Sequence, residues 1–447
     1  MALTGLEIYK LLPRTNCKDC GQPTCLAFAM QLATGKASLE ACPHASEEAR
    51  EVLSAAASPP IALIRIGVGE RAVQVGNETV LFRHEKRFAH QTAIGITVDD
   101  TLARPALATR VETIKNLVFE RVGQTCGVDL VAVRNRSGDA STFKTAVEAV
   151  AAAASLPQVL MSEDTACLAA ALEIAGEKRP LVWAATPENY RDVVPLAKRY
   201  GAPLVVRAPG LDAVASLVAE VTAAGHKQLL LDTGAQGIGR LLADQTHVRR
   251  LAVQKRFRPF GYPTFCHIAG DDPVKNVLDA AVGIAKYVAV LVIDTVDPAD
   301  LLALVTWRLN IYTDPQRPVA VEPGLYTVGN PGPDAPVFVT TNFSLTYFCV
   351  AGDVEAARVP AYILAVDTDG TSVLTAWAAG KLTPEKIATA LESAGIAGLV
   401  RHRRLIIPGS IAVLSGRLAE LARWEVLVGP RESSGIPAYL KEHWRPS

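Results

Sequence analysis

Several features that would define common protein classes are missing from this sequence. Basic and acidic residues balance at 45 each, so there is no excess charge to hold a nucleic acid or an anionic membrane. The first twelve residues carry Glu7 and Lys10 and contain no apolar core, so a secretory signal is not expected. The most apolar stretch, Asn276 to Thr295, is broken by Asp279, Lys286 and Asp294, too many charges for a membrane span. A soluble, cytoplasmic protein is expected. No Gly-x-Gly-x-x-Gly follows the first apolar run; Gly67-Val68-Gly69 leads into Glu70-Arg71-Ala72. That argues against a dinucleotide fingerprint. With 447 residues, 49% apolar and 20% charged, the chain can bury two or three cores.

The eight cysteines are unevenly placed. Cys126, Cys167, Cys266 and Cys349 are scattered singly in apolar or strand-like settings and read as structural. Cys17, Cys20, Cys25 and Cys42 cluster in the spacing Cys-x2-Cys-x4-Cys-x16-Cys, with Pro43 after the last. Four thiolates suit a [4Fe-4S] cluster or a structural zinc. Zinc sites favour paired Cys-x2-Cys units, and only one tight pair exists here. The Cys-Pro ending is a ferredoxin habit, so the spacing favours iron–sulfur over zinc, with four structural cysteines as the third possibility.

Two breaker-rich stretches divide the chain: Ala55 to Pro60, and Val328 to Asp334. They mark domains at 1–57, 58–328 and 329–447, and they read as semi-rigid hinges. In the middle segment, short apolar runs alternate with helical stretches such as Thr142 to Ala153 and Leu211 to Ala224. The runs begin with Ile61 to Gly67 and Ile94 to Asp99 and end with Ala289 to Thr295. Most lack period-2 alternation and so are buried on both faces. This pattern predicts a TIM (β/α)8 barrel, with a doubly wound sheet as the alternative. Asn135, Asp164 and Asp232 fall at strand ends, where barrels carry catalytic groups. Cys266 and His267 are adjacent on one strand and point to opposite faces, so they are no catalytic pair. Arg401 to Arg404 reads as a solvated edge.

The last segment predicts an open, Rossmann-like α/β sheet. Its strands are Val337 to Thr341, Ala361 to Val366, Leu405 to Pro408 and Glu425 to Val428, with helices between. Each strand ends in a loop rich in Ser, Thr, Asp and Gly, more than helix caps require. Such loops, at the carboxyl ends of strands and without lysine, suit a large neutral ligand rich in amide groups.

The cysteine pattern, the barrel-like middle and the segment Thr340 to Gly435 together resemble the large (gamma) subunit of the corrinoid iron–sulfur protein of the acetyl-CoA (Wood–Ljungdahl) pathway of carbon fixation. The most specific stretches are Thr15 to Gly21, Asn342 to Phe348 and Ser372 to Trp377. The resemblance implies a [4Fe-4S] cluster on Cys17, Cys20, Cys25 and Cys42. It implies a cobalamin-type corrinoid lined by Thr340, Thr346, Gly370, Thr371, Ser372, Val373 and Ser433. It also implies a heterodimer with a small (delta) subunit, and dealings with a methyl-tetrahydrofolate methyltransferase and with acetyl-CoA synthase/CO dehydrogenase. The cobalt would carry a methyl group between these two enzymes, and the cluster would reduce Co(II) to Co(I). Many cobalamin proteins ligate cobalt through Asp-x-His-x-x-Gly; here only His267 has Gly three residues on, with Phe265 at the Asp position. No histidine falls in the four loops, so a base-off cobalt without a His ligand is expected. Two rivals remain at this stage: a barrel methyltransferase that binds the methyl-pterin itself, and a plain iron–sulfur electron carrier.

Overall fold

The computed structural model describes residues 5–33, 37–46, 49, 59–121 and 123–444. The boundary expected at 57/58 lies outside these, as does the Ala55 to Pro60 link apart from its two prolines. Two compact units are present: residues up to 119 with 126–312, and residues 313–447 with 120–125. Among the described residues, no helix is long and apolar enough to cross a membrane.

The N-terminal module packs helix Gly5–Leu11 against helix Cys25–Ala33. Its small core holds Ile8, Leu12, Phe28 and Ala29 together with Cys25 and Cys42. Gly5 permits the close approach, since a Cβ there would lie 2.3 Å from the sulfur of Met30.

The central region is an eight-stranded parallel barrel. Its strands are β1 (Ala93–Asp99), β2 (Leu130–Arg134), β3 (Gln158–Met161), β4 (Leu181–Ala185), β5 (Leu204–Arg207), β6 (Leu229–Asp232), β7 (Phe265–Ile268) and β8 (Val290–Ile293). Each pairs with its sequence neighbours, and β1 pairs with β8. A single parallel bridge, Leu231 to Thr264, joins β6 to β7 and closes the ring. Alternation sends Leu130, Ala132, Val159 and Met161 into the barrel, and Val131, Val133 and Leu160 outward beneath the helices. Both faces are thus apolar, which is why these runs show no polar alternation.

One expected strand behaves differently. Within Ile61 to Gly67, only Ile64–Ile66 is extended, and it pairs antiparallel with Val73–Val75 outside the ring. Ile64, Ile66 and Val75 pack with the barrel's interior residues, so this hairpin plugs the barrel. An apolar run signals burial, not which strand it pairs with.

The second unit holds a five-stranded sheet: β9 (Gly324–Val328), β10 (Val337–Thr341), β11 (Ala361–Val366), β12 (Arg404–Ile407) and β13 (Glu425–Val428). The order is β9-β11-β10-β12-β13, with β9 alone antiparallel. β9 lies N-terminal to the boundary expected at 328/329, so Val328 ends a strand and residues 329–336 connect two strands of one sheet. The unit begins at Thr313.

Candidate functional site

In an open parallel sheet, ligands bind where the strand order reverses, outside the carboxyl ends. Here the reversal lies between β10 and β12, because β11 runs back to one side of β10 and the later strands extend on the other. The structure has a cleft of about 600 Å³ at that point. Its walls come from the ends of β10 and β12, from the first turns of helices Ser344–Ala356 and Val373–Ala378, and from the Gly429 to Ser433 loop. Gly409 and Gly429 let the floor loops meet; a Cβ on Gly409 would stand 2.5 Å from the Gly429 carbonyl.

Five of the seven residues expected at the corrinoid line this cleft: Thr340, Thr346, Ser372, Val373 and Ser433. Gly370 and Thr371 are not among its lining residues. The Gly370 amide donates to Asn342 Oδ1 at 3.1 Å, and Thr371 Oγ1 donates to the Thr368 carbonyl at 2.7 Å. Asn342 Oδ1 also accepts from the Thr368 amide and hydroxyl, at 2.9 and 3.1 Å. Asn342 therefore fixes the shape of the 368–371 turn, a positioning role that the sequence reading did not give it.

The chemistry of the cleft is mixed. Thr340 is fully buried, and its hydroxyl has no partner among the described residues; the same holds for the neighbouring Thr341 and Ser344 hydroxyls. Buried hydroxyls are nearly always hydrogen-bonded, and of these three residues Thr340 is the one that lines the cleft. Leu345 and Leu374 line the same cleft and are exposed. Among the described residues, Arg431 and Glu432 are its only charged lining groups, and neither histidine nor lysine lines it. Cys349 also lines it and is exposed, which corrects its expected buried structural role; Cys126, Cys167 and Cys266 are buried as anticipated. His402 is likewise buried, so Arg401 to Arg404 is not simply a solvated edge.

The N-terminal thiols form a second constellation. Cys25 and Cys42 are buried in one apolar cluster, and Cys20 packs against it. The loop before Cys25 takes left-handed conformations at Arg14, Asn16, Lys18 and Gly21. The Asn16 amide donates to Cys25 Sγ at 3.4 Å, the kind of bond that stabilises a thiolate. Cys17 is exposed, and its sulfur lies within 4.8 Å of the Asp19 carboxylate and the His44 imidazole. His44 Nε2 stands 2.7 Å from Asp19 Oδ2. Of the four clustered cysteines, the structure thus gathers Cys20, Cys25 and Cys42 around one small core and groups Cys17 with Asp19 and His44.

At the barrel mouth, the strand-end residues are committed to one another. Arg134 grips Asp99 at 2.6 and 3.0 Å and reaches Asp294 at 3.1 Å. His267 Nε2 lies 3.2 Å from Asp294. Asp232 accepts from Trp183 Nε1 at 3.0 Å and from the Gly234 amide at 2.9 Å, and its burial pushes its carboxyl pKa up. Asp164 caps helix Thr165–Ala175, and Asn135 donates to Ser162 Oγ at 3.1 Å. The three strand-end candidates thus serve local structure. Cys266 points away from His267, into the outer core, where burial pushes its thiol pKa up.

Residues 63–440 match the family model described as CO dehydrogenase/acetyl-CoA synthase delta subunit. The chain belongs to this family. Residues 12–44, which span all four clustered cysteines, match a second model, described as an Fe-S cluster. Family relatives align from end to end. The corrinoid/iron-sulfur protein large subunit of Moorella thermoacetica is 50% identical over 441 residues, 99% of each chain. The acetyl-CoA decarbonylase/synthase complex subunit gamma of Methanothermobacter thermautotrophicus is 36% identical over 453 residues, 98% of this chain and 99% of its own. The resemblance to the large (gamma) subunit of the corrinoid iron–sulfur protein therefore extends over essentially the whole chain. Among solved structures, dihydropteroate synthase from Thermus thermophilus overlaps 54% of this chain and 97% of its own, at 18% identity and a TM-score of 0.39. That overlap is too loose to bear on function.

Proposed function

We propose that this chain is the large subunit of a corrinoid- and iron–sulfur-dependent methyl carrier. The observation that carries this reading is the switch-point cleft, with its orphan Thr340 hydroxyl and no imidazole among its described lining residues. When bound, the corrinoid would supply a cobalt that takes a methyl group from a methyl-pterin, by way of a methyltransferase, and yields it to acetyl-CoA synthase; the [4Fe-4S] cluster would supply the electron that restores Co(I). Thr340, Thr346, Ser372 and Ser433 would hold the polar rim of the macrocycle, and Val373, Leu345 and Leu374 its apolar face. Gly370 and Thr371 would contribute through the turn that carries Ser372. Cys17, Cys20, Cys25 and Cys42 would hold the cluster. The open cleft leaves the opposite face of the cofactor to a small (delta) subunit. The domain division proposed is a cluster module, a barrel and a corrinoid unit that begins near Thr313.

The lack of histidine on the described cleft walls supports a base-off cobalt. The mutual ion pairs at the barrel mouth support a scaffold role for the barrel and weigh against pterin binding there. Iron and cobalt analysis of the anaerobically purified complex tests the reading. About four irons and one corrinoid per large subunit are expected, with a corrinoid visible band. Iron without corrinoid, with the small subunit present, would reduce the protein to an electron carrier. Tight methyl-tetrahydrofolate binding by the isolated chain would move the chemistry to the barrel.

A further inference from the structure

Outside the N-terminal group, the chain carries Cys126, Cys167, Cys266 and Cys349. The first three are closed to solvent, at 7%, 2% and 5% exposure. Cys349 is a free, exposed thiol. It sits on helix Ser344–Ala356, three residues after Thr346 and four after Leu345, so these side chains share one helix face. All three line the switch-point cleft.

An exposed thiol is ordinary; a thiol on the wall of a built cavity is not. The cleft, at about 600 Å³, is in the size range of small-molecule sites. The same cleft is lined by Thr340, which is fully buried and whose hydroxyl has no partner among the described residues. Buried hydroxyls nearly always have partners, and a ligand in the cleft would supply one. That observation points to a ligand independently of the cysteine.

The sulfur chemistry open to Cys349 is narrow. The second unit contains no other cysteine. The remaining ones are buried in the barrel or belong to the N-terminal group of four. Oxidation at Cys349 therefore has no sulfur within its own unit to pair with, and the second sulfur comes from a small molecule.

We propose that Cys349 is a modification site for a low-molecular-weight disulfide, and that the modifying group and the corrinoid exclude each other from the cleft. This rests on the corrinoid reading above. The Cys349 thiolate attacks one sulfur of the small disulfide, having given its proton to solvent. A mixed disulfide forms at Cys349, the small molecule's own S–S bond breaks, and its other half leaves as a thiolate. Cys349 is oxidised and the departing half is reduced. A reducing thiol reverses the exchange. At exchange equilibrium the exclusion is reciprocal: the cofactor shields the thiol by the same factor as the adduct weakens the cofactor. The unloaded chain is thus capped under oxidising conditions and opened for loading under reducing ones.

The test uses the full-length chain with its cluster assembled anaerobically, together with the small subunit. One sample is free of corrinoid and the other is loaded with cobalamin. Each is exposed to cystine, and peptide mass spectrometry reads the half-cystine adduct residue by residue. Cys349 is expected to take the adduct in the corrinoid-free sample, and at least about 10-fold more slowly in the loaded one, an ordinary size for coupling between two ligands. Cystine-treated protein should then load cobalamin at least about 10-fold more weakly, and dithiothreitol should restore loading. Cys349→Ser, whatever its own affinity, should load equally with and without cystine. A loss on cystine treatment in that variant would place the effect on other thiols and overturn the assignment. If the variant does not fold, as read by circular dichroism, the two adduct rates on the parent chain decide instead. No adduct at Cys349 in the corrinoid-free sample, or equal rates in the two samples, would overturn the proposal. Normal loading of a chain that bears the adduct would overturn the mutual exclusion while leaving the corrinoid carrier standing. If the untreated complex takes up no cobalamin, the corrinoid reading fails, and this inference fails with it.

Discussion

His402 donates its Nε2 hydrogen to the carbonyl of Ala335 at 2.9 Å, and its Nδ1 accepts the Arg404 amide at 3.2 Å. Both ring nitrogens are thereby engaged at the amino ends of β10 and β12, while the cleft lies at their carboxyl ends. This buried histidine of the sheet's unit is structural. In the Co(II) state, the electron paramagnetic resonance spectrum should show no splitting from an axial nitrogen. His402→Ala should leave that spectrum unchanged and cost about 1–3 kcal/mol of stability by orphaning two buried backbone groups. Nitrogen splitting that disappears in His402→Ala would contradict the arrangement.

Thr340→Val should separate stability from binding. The valine keeps the shape and removes a buried hydroxyl that has no partner among the described residues. The apo protein is expected to gain roughly 1 kcal/mol in urea unfolding. Corrinoid retention on gel filtration should fall at least about 10-fold, the worth of one buried hydrogen bond. A variant with parental corrinoid affinity would show that the hydroxyl faces nothing.

The second unit was largely legible because its strands are short apolar runs bounded by Gly, Pro and Ser. Val337 to Thr341, Ala361 to Val366 and Glu425 to Val428 coincide with observed strands. β9 was not, for a physical reason. It is an edge strand, flanked by Pro323 and Gly329, and it alternates Leu325, Tyr326 and Thr327 with no buried run to announce it. The cleft's position followed from strand ends, and Thr340 and Ser433 were found there. The orphan state of Thr341 and Ser344 was not readable, because whether a hydroxyl finds a partner depends on chain segments far away in sequence. Cys349 was misjudged for a similar reason: an apolar neighbourhood in sequence does not say which side of a helix meets a cleft.

Cys42→Ala should remove or degrade the cluster, because Cys42 is a buried thiol within the same small core as Cys25. Cys349→Ala, whose thiol lines the cleft, should retain full iron. Iron and sulfide analysis under anaerobic conditions distinguishes them, with about four irons expected in the second and a large loss in the first. Equal iron in both variants, or zinc in place of iron, would count against the four-cysteine assignment.

The barrel mouth gives a pH signature. Burial pushes the Asp294 carboxyl up, but hydrogen bonds from His267 and Thr97 and the nearby Arg134 guanidinium outweigh it and hold the pKa well below the usual carboxylate range. Its folded value is thus depressed relative to an unfolded value near ~3.9. The stability it contributes is fully present above that unfolded value and is lost as pH falls through the folded one. The parent should therefore lose stability steeply below about pH 4, whereas Asp294→Asn should show a flatter acid limb. At neutral pH the variant should be about 2 kcal/mol less stable, having left Arg134 with one partner fewer. Parallel acid limbs for the two proteins would remove Asp294 from the account.

The place where the second unit begins can be tested by cutting it. β9 pairs with β11 at five positions, from Gly324 with Ala365 to Val328 with Ala361. Tyr326 packs its ring on Tyr347 at 4.6 Å between centroids, so the strand also covers helix Ser344–Ala356. A fragment starting at Thr313 keeps these contacts. One starting at Gly329, where composition alone puts the boundary, strips β9 from the sheet and leaves the edge of β11 unpaired. An exposed, flat, apolar edge such as Ala361–Val366 is a template for aggregation. The 313–447 fragment is expected to be monomeric and to melt cooperatively; the 329–447 fragment should aggregate or melt at least ~10 °C lower, as loss of a few kcal/mol from a small domain requires. The breaker-rich loop from Gly329 to Asp334 then serves as a turn inside the sheet, and any hinge ahead of this unit belongs before Gly324. Two fragments of equal stability would return that hinge to Gly329–Pro333 and make β9 dispensable.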